Sequence, residues 1–151
     1  MSVSKIKATV FSQEQLASDV FSMWLEVGSI ASEAKPGQFI SVYSNDDSKL
    51  LPRPISICEI DRENGRLRIV YRVVGYGTKE FSGCKAGDTL DIMGPLGNGY
   101  TLKKDKAILV AGGIGVPPML ELAKELDCEK TIVLGYRDEL FLNKEFEQYG
   151  K

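Results

Sequence analysis

From residue 5 to about 95 the apolar residues recur in short alternating runs separated by turn signals, the mark of an antiparallel barrel or sandwich. In "DVFSMWLEV", Phe21, Met23, Leu25 and Val27 share one face while Ser22 and Glu26 take the other. "EIDRENGRLRIVYRVV" reads as a hairpin in which Leu67, Ile69, Tyr71 and Val73 alternate with Arg66, Arg68 and Arg72, and Asn64-Gly65 suits a type I′ turn. Pro36-Gly37 is placed for a type II turn just before a strand. With "KAGDTLDIMGPLG" there are about six strands, and one short helical turn, "TKEFSG", precedes the last.

From residue 106 the grammar changes. "KAILVAGGIGV" and "KTIVLGYR" read as buried strands, and "PPMLELAKELD" and "DELFLNKEFEQYG" as amphipathic helices, the first with Pro117 or Pro118 near its opening turn. Strand, helix, strand, helix implies a parallel sheet. Two strands and two helices bury too little to complete a doubly wound domain, so the expected organisation is a barrel over residues 1–100 and an incomplete α/β domain over 101–151. The open sheet edge is expected to invite self-association with another copy.

Composition narrows the chemistry. The 151 residues are 43% hydrophobic and 26% charged with a net charge of -2, which describes a globular chain without the basic stripe that a nucleic-acid partner requires. The start "MSVSKIKATVFSQEQ" has no signal-like apolar core, and no later run approaches the roughly 20 apolar residues that span a bilayer. A cytoplasmic protein with no membrane partner is the expectation. Cys58, Cys84 and Cys128 are far apart and suit neither a disulfide framework nor a zinc or iron-sulfur site. Histidine is absent, which excludes a Ser-His-Asp triad, a Cys-His pair and His-ligated metal; the chemistry is left to a bound cofactor.

Three stretches carry site signals. In "PRPIS", Pro52 and Pro54 remove two ladder donors, so the segment belongs at an edge or mouth, and Arg53 between them is a planar donor fork matched to a diphosphate. Taken singly, Arg53 also reads as a surface cation and Ser56 as a solvated hydroxyl. In "VYRVVGYGTKEFS", Gly75 and Gly77 loosen a strand end, Thr78 suits the cap of a short helix, and Tyr71 and Arg72 lie beside it on opposite faces. "AGGIGVPP" is a glycine turn between a strand and a helix N-terminus; it is neither a P-loop nor GxGxxG, and a tight turn without a ligand explains it equally well. Together they describe a barrel surface facing one long ligand with a phosphate end and a ring end.

"RPISI", "YRVVGYGTKEFS", "GPLGNGY" and "AGGIGVPP", in this order and spacing, resemble the electron-transfer subunit of class B dihydroorotate dehydrogenases, within the ferredoxin-NADP reductase superfamily. The resemblance covers nearly the whole chain. It implies a six-stranded antiparallel FAD-binding β-barrel followed by a nicotinamide-binding α/β domain, incomplete here. By the resemblance, Arg53 binds the FAD pyrophosphate and Pro54, Ile55 and Ser56 line the isoalloxazine, although many members carry an aromatic at the place of Ile55. Val70, Tyr71 and Arg72 flank the cofactor, Gly77 and Thr78 hold a phosphate, and Gly112, Gly113 and Gly115 form a floor for NAD. It also implies a relay in which electrons from dihydroorotate, oxidised in an FMN-containing catalytic subunit, cross an iron-sulfur cluster to FAD and reach NAD as hydride. The cluster's cysteine ligands are missing from this sequence, so a truncated chain, poorly active alone, is expected. Other readings are a different flavin reductase of the superfamily and a non-catalytic barrel that binds RNA or protein.

Overall fold

A computed structural model describes residues 3–45 and 51–151. Six strands, β1 (Ser4–Ala17), β2 (Val20–Glu26), β3 (Phe39–Val42), β4 (Arg53–Asp61), β5 (Arg66–Arg72) and β6 (Thr89–Leu96), close into a barrel in the order β1-β2-β5-β4-β3-β6. All its pairings are antiparallel, and closure comes from β1 against β6, Ser4 opposite Gly94. The alternation written in the sequence fills the interior: Met23, Leu25, Ile40, Val42, Ile57, Leu67, Ile69, Leu90 and Ile92 are all fully buried there. Helix α1 (Ile30–Glu33) follows β2, and helix α2 (Tyr76–Ser82) is the short helix expected before β6.

The two expected turns come out differently. Gly37 has φ 92° and the Gln38 N–H donates to the Lys35 carbonyl at 3.2 Å, which is the type II arrangement. The β4–β5 hairpin instead has a four-residue loop in which Gly65 takes a positive φ and Asn64 does not, so it is not type I′. The Asp61 carboxylate decides this: it accepts the Asn64 N–H at 3.1 Å and the Asn64 side-chain amide at 2.9 Å.

Beyond the barrel, β7 (Ala107–Gly112) and β8 (Lys130–Gly135) form a parallel pair, with α3 (Pro118–Glu125) between them and α4 (Asn143–Phe146) after them. Two expectations are corrected here. The strands are covered on one face only: Leu109 and Ala111 are buried, whereas Ile108 is 72% and Val110 66% exposed. The final amphipathic stretch is a single helical turn, because Leu142 adopts a left-handed conformation at φ 64° and breaks it. The outer edge of β8 is partly paired: the Ile132 N–H donates to the Lys151 carbonyl at 2.6 Å and the Lys151 N–H to the Lys130 carbonyl at 3.2 Å.

The second unit packs on the outside of the barrel wall. Val20, Cys58 and Val70, outward on their strands, join Leu109, Val116, Leu120, Ala123, Phe141 and Phe146 in one apolar cluster. Ser22 and Arg68, which alternation assigns to solvent, are therefore buried. Arg68, its side chain 7% exposed, donates to Ser22 Oγ at 2.7 Å, Glu59 at 2.9 Å and Glu145 of α4 at 2.6 Å. This placement removes Arg68 from any basic-aromatic surface on "RLRIVYR", the kind of surface an RNA-binding barrel would need.

Two predictions follow from this packing. Arg68→Ala leaves the largely covered Glu59 without its cation and frees the part-exposed Glu145 to meet water, and should cost about 1 to 3 kcal/mol in urea unfolding; a loss below about 0.5 kcal/mol would contradict the burial of Arg68. Inside the barrel, the Tyr71 hydroxyl donates to Gln13 Oε1 at 2.5 Å, while Gln13 Nε2 donates to the Phe81 and Cys84 carbonyls at 2.9 and 2.8 Å. Tyr71→Phe removes this bond to the half-buried Gln13 and should lower stability by about 0.5 to 1.5 kcal/mol, measured the same way.

Candidate functional site

Strand β4 changes partner along its length. From Arg53 to Ser56 it pairs with β3, Val42 opposite Arg53 and Phe39 opposite Ser56. From Ile57 to Asp61 it pairs with β5, with a bulge at Cys58 between the Ile57–Ile69 and Glu59–Arg68 pairs. Strand β5 runs on past that point with β2, to Val20 opposite Arg72. The start of β4 and the end of β5 therefore part company, and a mouth opens in the barrel wall between them. Bulges sharpen local twist, and the missing N–H groups of Pro52 and Pro54 fall where the ladder ends.

A cavity of about 430 Å³ occupies this mouth, lined by Arg53, Pro54, Ile55, Ser56, Val70, Tyr71, Arg72, Val74, Thr78 and Ile114. Eight of the residues singled out in the barrel sequence thus meet at one place. The ninth, Gly77, lies beneath Arg53: a Cβ added there would come 3.2 Å from both Cγ and Nε of Arg53. The absence of a side chain lets the arginine lie across the first turn of α2. Among the described residues the Arg53 guanidinium makes no ion pair or hydrogen bond within the chain.

The structure also redistributes roles. Thr78 is not the cap residue of α2 but the third residue of its first turn; its Oγ1 accepts the Val74 and Gly75 N–H groups at 2.9 and 3.2 Å, a capping-box contact. The hydroxyl is thereby spent on the chain, and what Thr78 can offer a ligand is its main-chain N–H. Tyr71 is 2% exposed, its ring stacked on Phe21 and edge-on to Phe81, and burial pushes its phenol pKa upward. Its side chain belongs to the core. Ile55 is likewise a core residue, so the cavity wall here is built mainly from Pro54, Ser56, Val70 and main chain.

Arg72 lines this cavity and also a second one of about 520 Å³, which lies between the β1–β2 turn and the segment after β8 and reaches Gly113, Tyr136 and Glu139. Its Nε lies 3.3 Å from Asp19, yet that atom lacks a directed hydrogen bond, so the pair is a contact of charges only. The Ser18 N–H and hydroxyl both donate to the Glu139 carboxylate and hold that carboxyl below its ordinary pKa. Gly112, Gly113 and Gly115 stand apart from the first cavity, but Ile114 within the same turn reaches it. Only Gly113, at φ 56°, needs to be glycine for its backbone; a Cβ on Gly115 meets nothing and one on Gly112 comes no closer than 3.9 Å to the chain. Sequence reasoning missed Val74 and Ile114 as wall residues. Each is an apolar residue beside glycines that carry the stronger local signal.

Comparison with known proteins agrees with this geometry. Residues 7–100 match the family described as oxidoreductase FAD-binding domain. The chain is 44% identical to the dihydroorotate dehydrogenase B (NAD(+)) electron transfer subunit of Streptococcus mutans, over 98% of this chain and 60% of that protein. It is 41% identical to the subunit of the same name from Fusobacterium nucleatum, over 95% and 59%. The chain thus spans about 60% of the length of the curated relatives it matches. Among solved structures it superposes on an NADH-dependent reduced ferredoxin-NADP oxidoreductase at a TM-score of 0.85 and 33% identity, covering 93% of this chain and 53% of that one. The ferredoxin reductase of carbazole 1,9a-dioxygenase, at 20% identity and a TM-score of 0.83, shares the fold over 100% of this chain and 50% of its own. With a closed six-stranded barrel and a family match over most of its length, the chain belongs to the oxidoreductase FAD-binding domain family.

Proposed function

We propose that the mouth between β4 and β5 holds FAD and that the chain is the flavin-carrying part of an electron-transfer subunit of the dihydroorotate dehydrogenase B type. The observation that carries this reading is the convergence of Arg53, Ser56, Arg72 and the first turn of α2 on one cavity. Arg53, resting on the bare Gly77, presents an uncommitted fork suited to a diphosphate, and the first-turn N–H groups at Gly77 and Thr78 add donors that the helix itself does not use. Pro54, Ser56 and Val70 offer a narrow wall for the isoalloxazine, with the Ser56 hydroxyl toward its edge. FAD supplies hydride and single-electron transfer when bound. The chain's residues bind it, orient it and keep water from one side of it.

Gly112, Gly113 and Gly115 are read as a floor for the NAD nicotinamide and pyrophosphate. A ligand lying on the turn accounts for Gly112 and Gly115, which the chain's own packing does not require. In the full relay the donor is an FMN-containing catalytic subunit that oxidises dihydroorotate. Cys58, Cys84 and Cys128 are free and sit on separate elements, so they offer no seat for an iron-sulfur cluster, and the part proposed for this chain stops at FAD and NAD. We take residues 1–100 as the flavin unit and 101–151 as part of the nucleotide unit, working in the cytoplasm; no helix among the described residues is long and apolar enough to cross a membrane. The exposed face of the β7–β8 sheet is read as the route of any self-association, which sizing chromatography over a range of concentrations tests.

The visible absorbance of protein mixed with FAD tests the cofactor, and activity with dihydroorotate after adding a catalytic subunit separates this reading from another reductase of the superfamily. FAD should bind more tightly than FMN, because only FAD carries the diphosphate. Arg53→Ala should weaken FAD binding by about 1.5 to 3 kcal/mol, roughly 10- to 150-fold, and leave FMN binding nearly unchanged. Equal affinities of the parent for the two flavins would overturn the assignment. Gly77→Ala should alter stability by less than about 0.5 kcal/mol, since its φ is ordinary and a flexible side chain can yield. It should still weaken FAD binding, because Arg53 must shift off the first turn of α2 by a few tenths of an ångström; an unchanged affinity would contradict the role given to Gly77.

A further inference from the structure

Helix α3 is held to the barrel by a carboxyl group that the flavin site does not use. Glu121 is 1% exposed, and its Oε1 accepts the Ile60 N–H, an outward donor of β4, at 2.7 Å. It also shares a hydrogen bond with Glu125. Glu125 in turn pairs at 3.1 Å with Arg62, whose Nη2 donates to the Ala34 carbonyl at 2.9 Å. The chain from barrel to helix is therefore Ile60 N–H, Glu121, Glu125 and Arg62.

The charged groups around Glu121 leave it without a cation of its own. On α3, Lys124 acts on it from an exposed position and Glu125 opposes it. On β4, Glu59 is spent on Arg68 of β5, and Asp61 on Asn64. Glu145 of α4 also belongs to Arg68, and the nearby Cys58 thiol is kept protonated by burial. Burial, followed by the bond from Glu125, pushes the Glu121 carboxyl up to about 8. A protonated Glu121 satisfies the geometry: its carbonyl oxygen accepts from Ile60 and its hydroxyl donates to the Glu125 carboxylate.

We propose that Glu121 is a positioning residue whose protonated form seats α3, and with it the preceding glycine turn, against the barrel, and that loss of its proton loosens this seat. Val116 is buried at the end of that turn and its N–H donates to the Gly113 carbonyl at 3.2 Å, so the turn and the helix move together. Ile114 on this turn is a wall of the cavity assigned to FAD, and Gly113 a wall of the second cavity. The consequence for flavin rests on the function proposed above; the seating of α3 does not.

The sign follows from where the proton is held more tightly. A carboxyl raised from 4.5 to about 8 when docked contributes stability that is complete below 4.5 and is lost as pH rises toward 8, above which the effect levels off. The sequence contains no histidine, so no imidazole titrates in this window. Amide hydrogen exchange over residues 116–126, corrected for its intrinsic pH dependence and taken from pH 5.5 to 8, reads the opening of α3. The parent should show an opening constant that rises up to about tenfold per pH unit. Glu121→Gln, which keeps the acceptor for Ile60 and donates an amide N–H to Glu125, should be flat across the range. Glu125→Gln, on the half-exposed side, should reduce the slope without emptying the buried site. FAD affinity should fall with pH in the parent and not in Glu121→Gln. A parent with no pH-dependent opening, or a slope that survives in both variants, would overturn the proposal. The exchange readout needs no cofactor, so it decides the role of Glu121 separately from whether flavin binds.

Discussion

The partner change of strand β4 is the constraint on which the site depends. A barrel of six short strands closes only if every strand finds two neighbours, yet β4 gives its first four residues to β3 and its last five to β5. The bulge at Cys58 marks the crossover, and Cys58 itself turns outward into the cluster beneath the second unit. A ladder left open in water or apolar surroundings has to satisfy its donors and acceptors by other means. Here the opening exposes an arginine, a serine and a helix start at the front of the barrel, where a polar ligand with a flat end can complete the wall.

The back of the same strand does the opposite work. Past the bulge, β4 and β5 present Cys58, Glu59, the Ile60 N–H, Arg68 and Val70 to α3 and α4, and the contact combines apolar area with paired charges. Removing Arg68 leaves the largely covered Glu59 without a partner, while Glu145 keeps part of its contact with water. The arrangement therefore does less to add stability than to fix one orientation of the second unit. That orientation brings Ile114 to the cavity in the barrel mouth and Gly113 to its neighbour, with Arg72 between the two.

Much of this was legible in the sequence, for reasons that residue patterns carry. Period-two alternation specified the barrel interior, Pro36-Gly37 its turn, and Pro52 and Pro54 the place where the wall fails. Arg68 was not legible, because alternation records which face a residue takes and not whether that face is later covered. Asn64-Gly65 was misread as a type I′ turn because a carboxylate three residues upstream outcompeted the dipeptide's own preference. The last helix was overestimated because amphipathic spacing does not reveal that Leu142 turns left-handed to bury itself with Phe141. At the mouth, residue types and spacing singled out Arg53, Ser56 and Gly77, which the fold brings together. Only coordinates show that the Tyr71 ring and the Thr78 hydroxyl are committed inside the chain, and that Ile114 crosses from the second unit to the cavity.

Whether flavin sits in the split of β4 is decided by following the backbone amide resonances of the protein as FAD is added. At saturation the largest shifts should fall on Arg53, Ile55 and Ser56, on Val70 to Arg72, and on Gly77, Thr78 and Ile114. The β4–β5 loop at residues 62–65, at the opposite end of both strands from the mouth, should stay unperturbed. Shifts centred on that loop, or a spectrum unchanged by saturating FAD, would contradict the assignment.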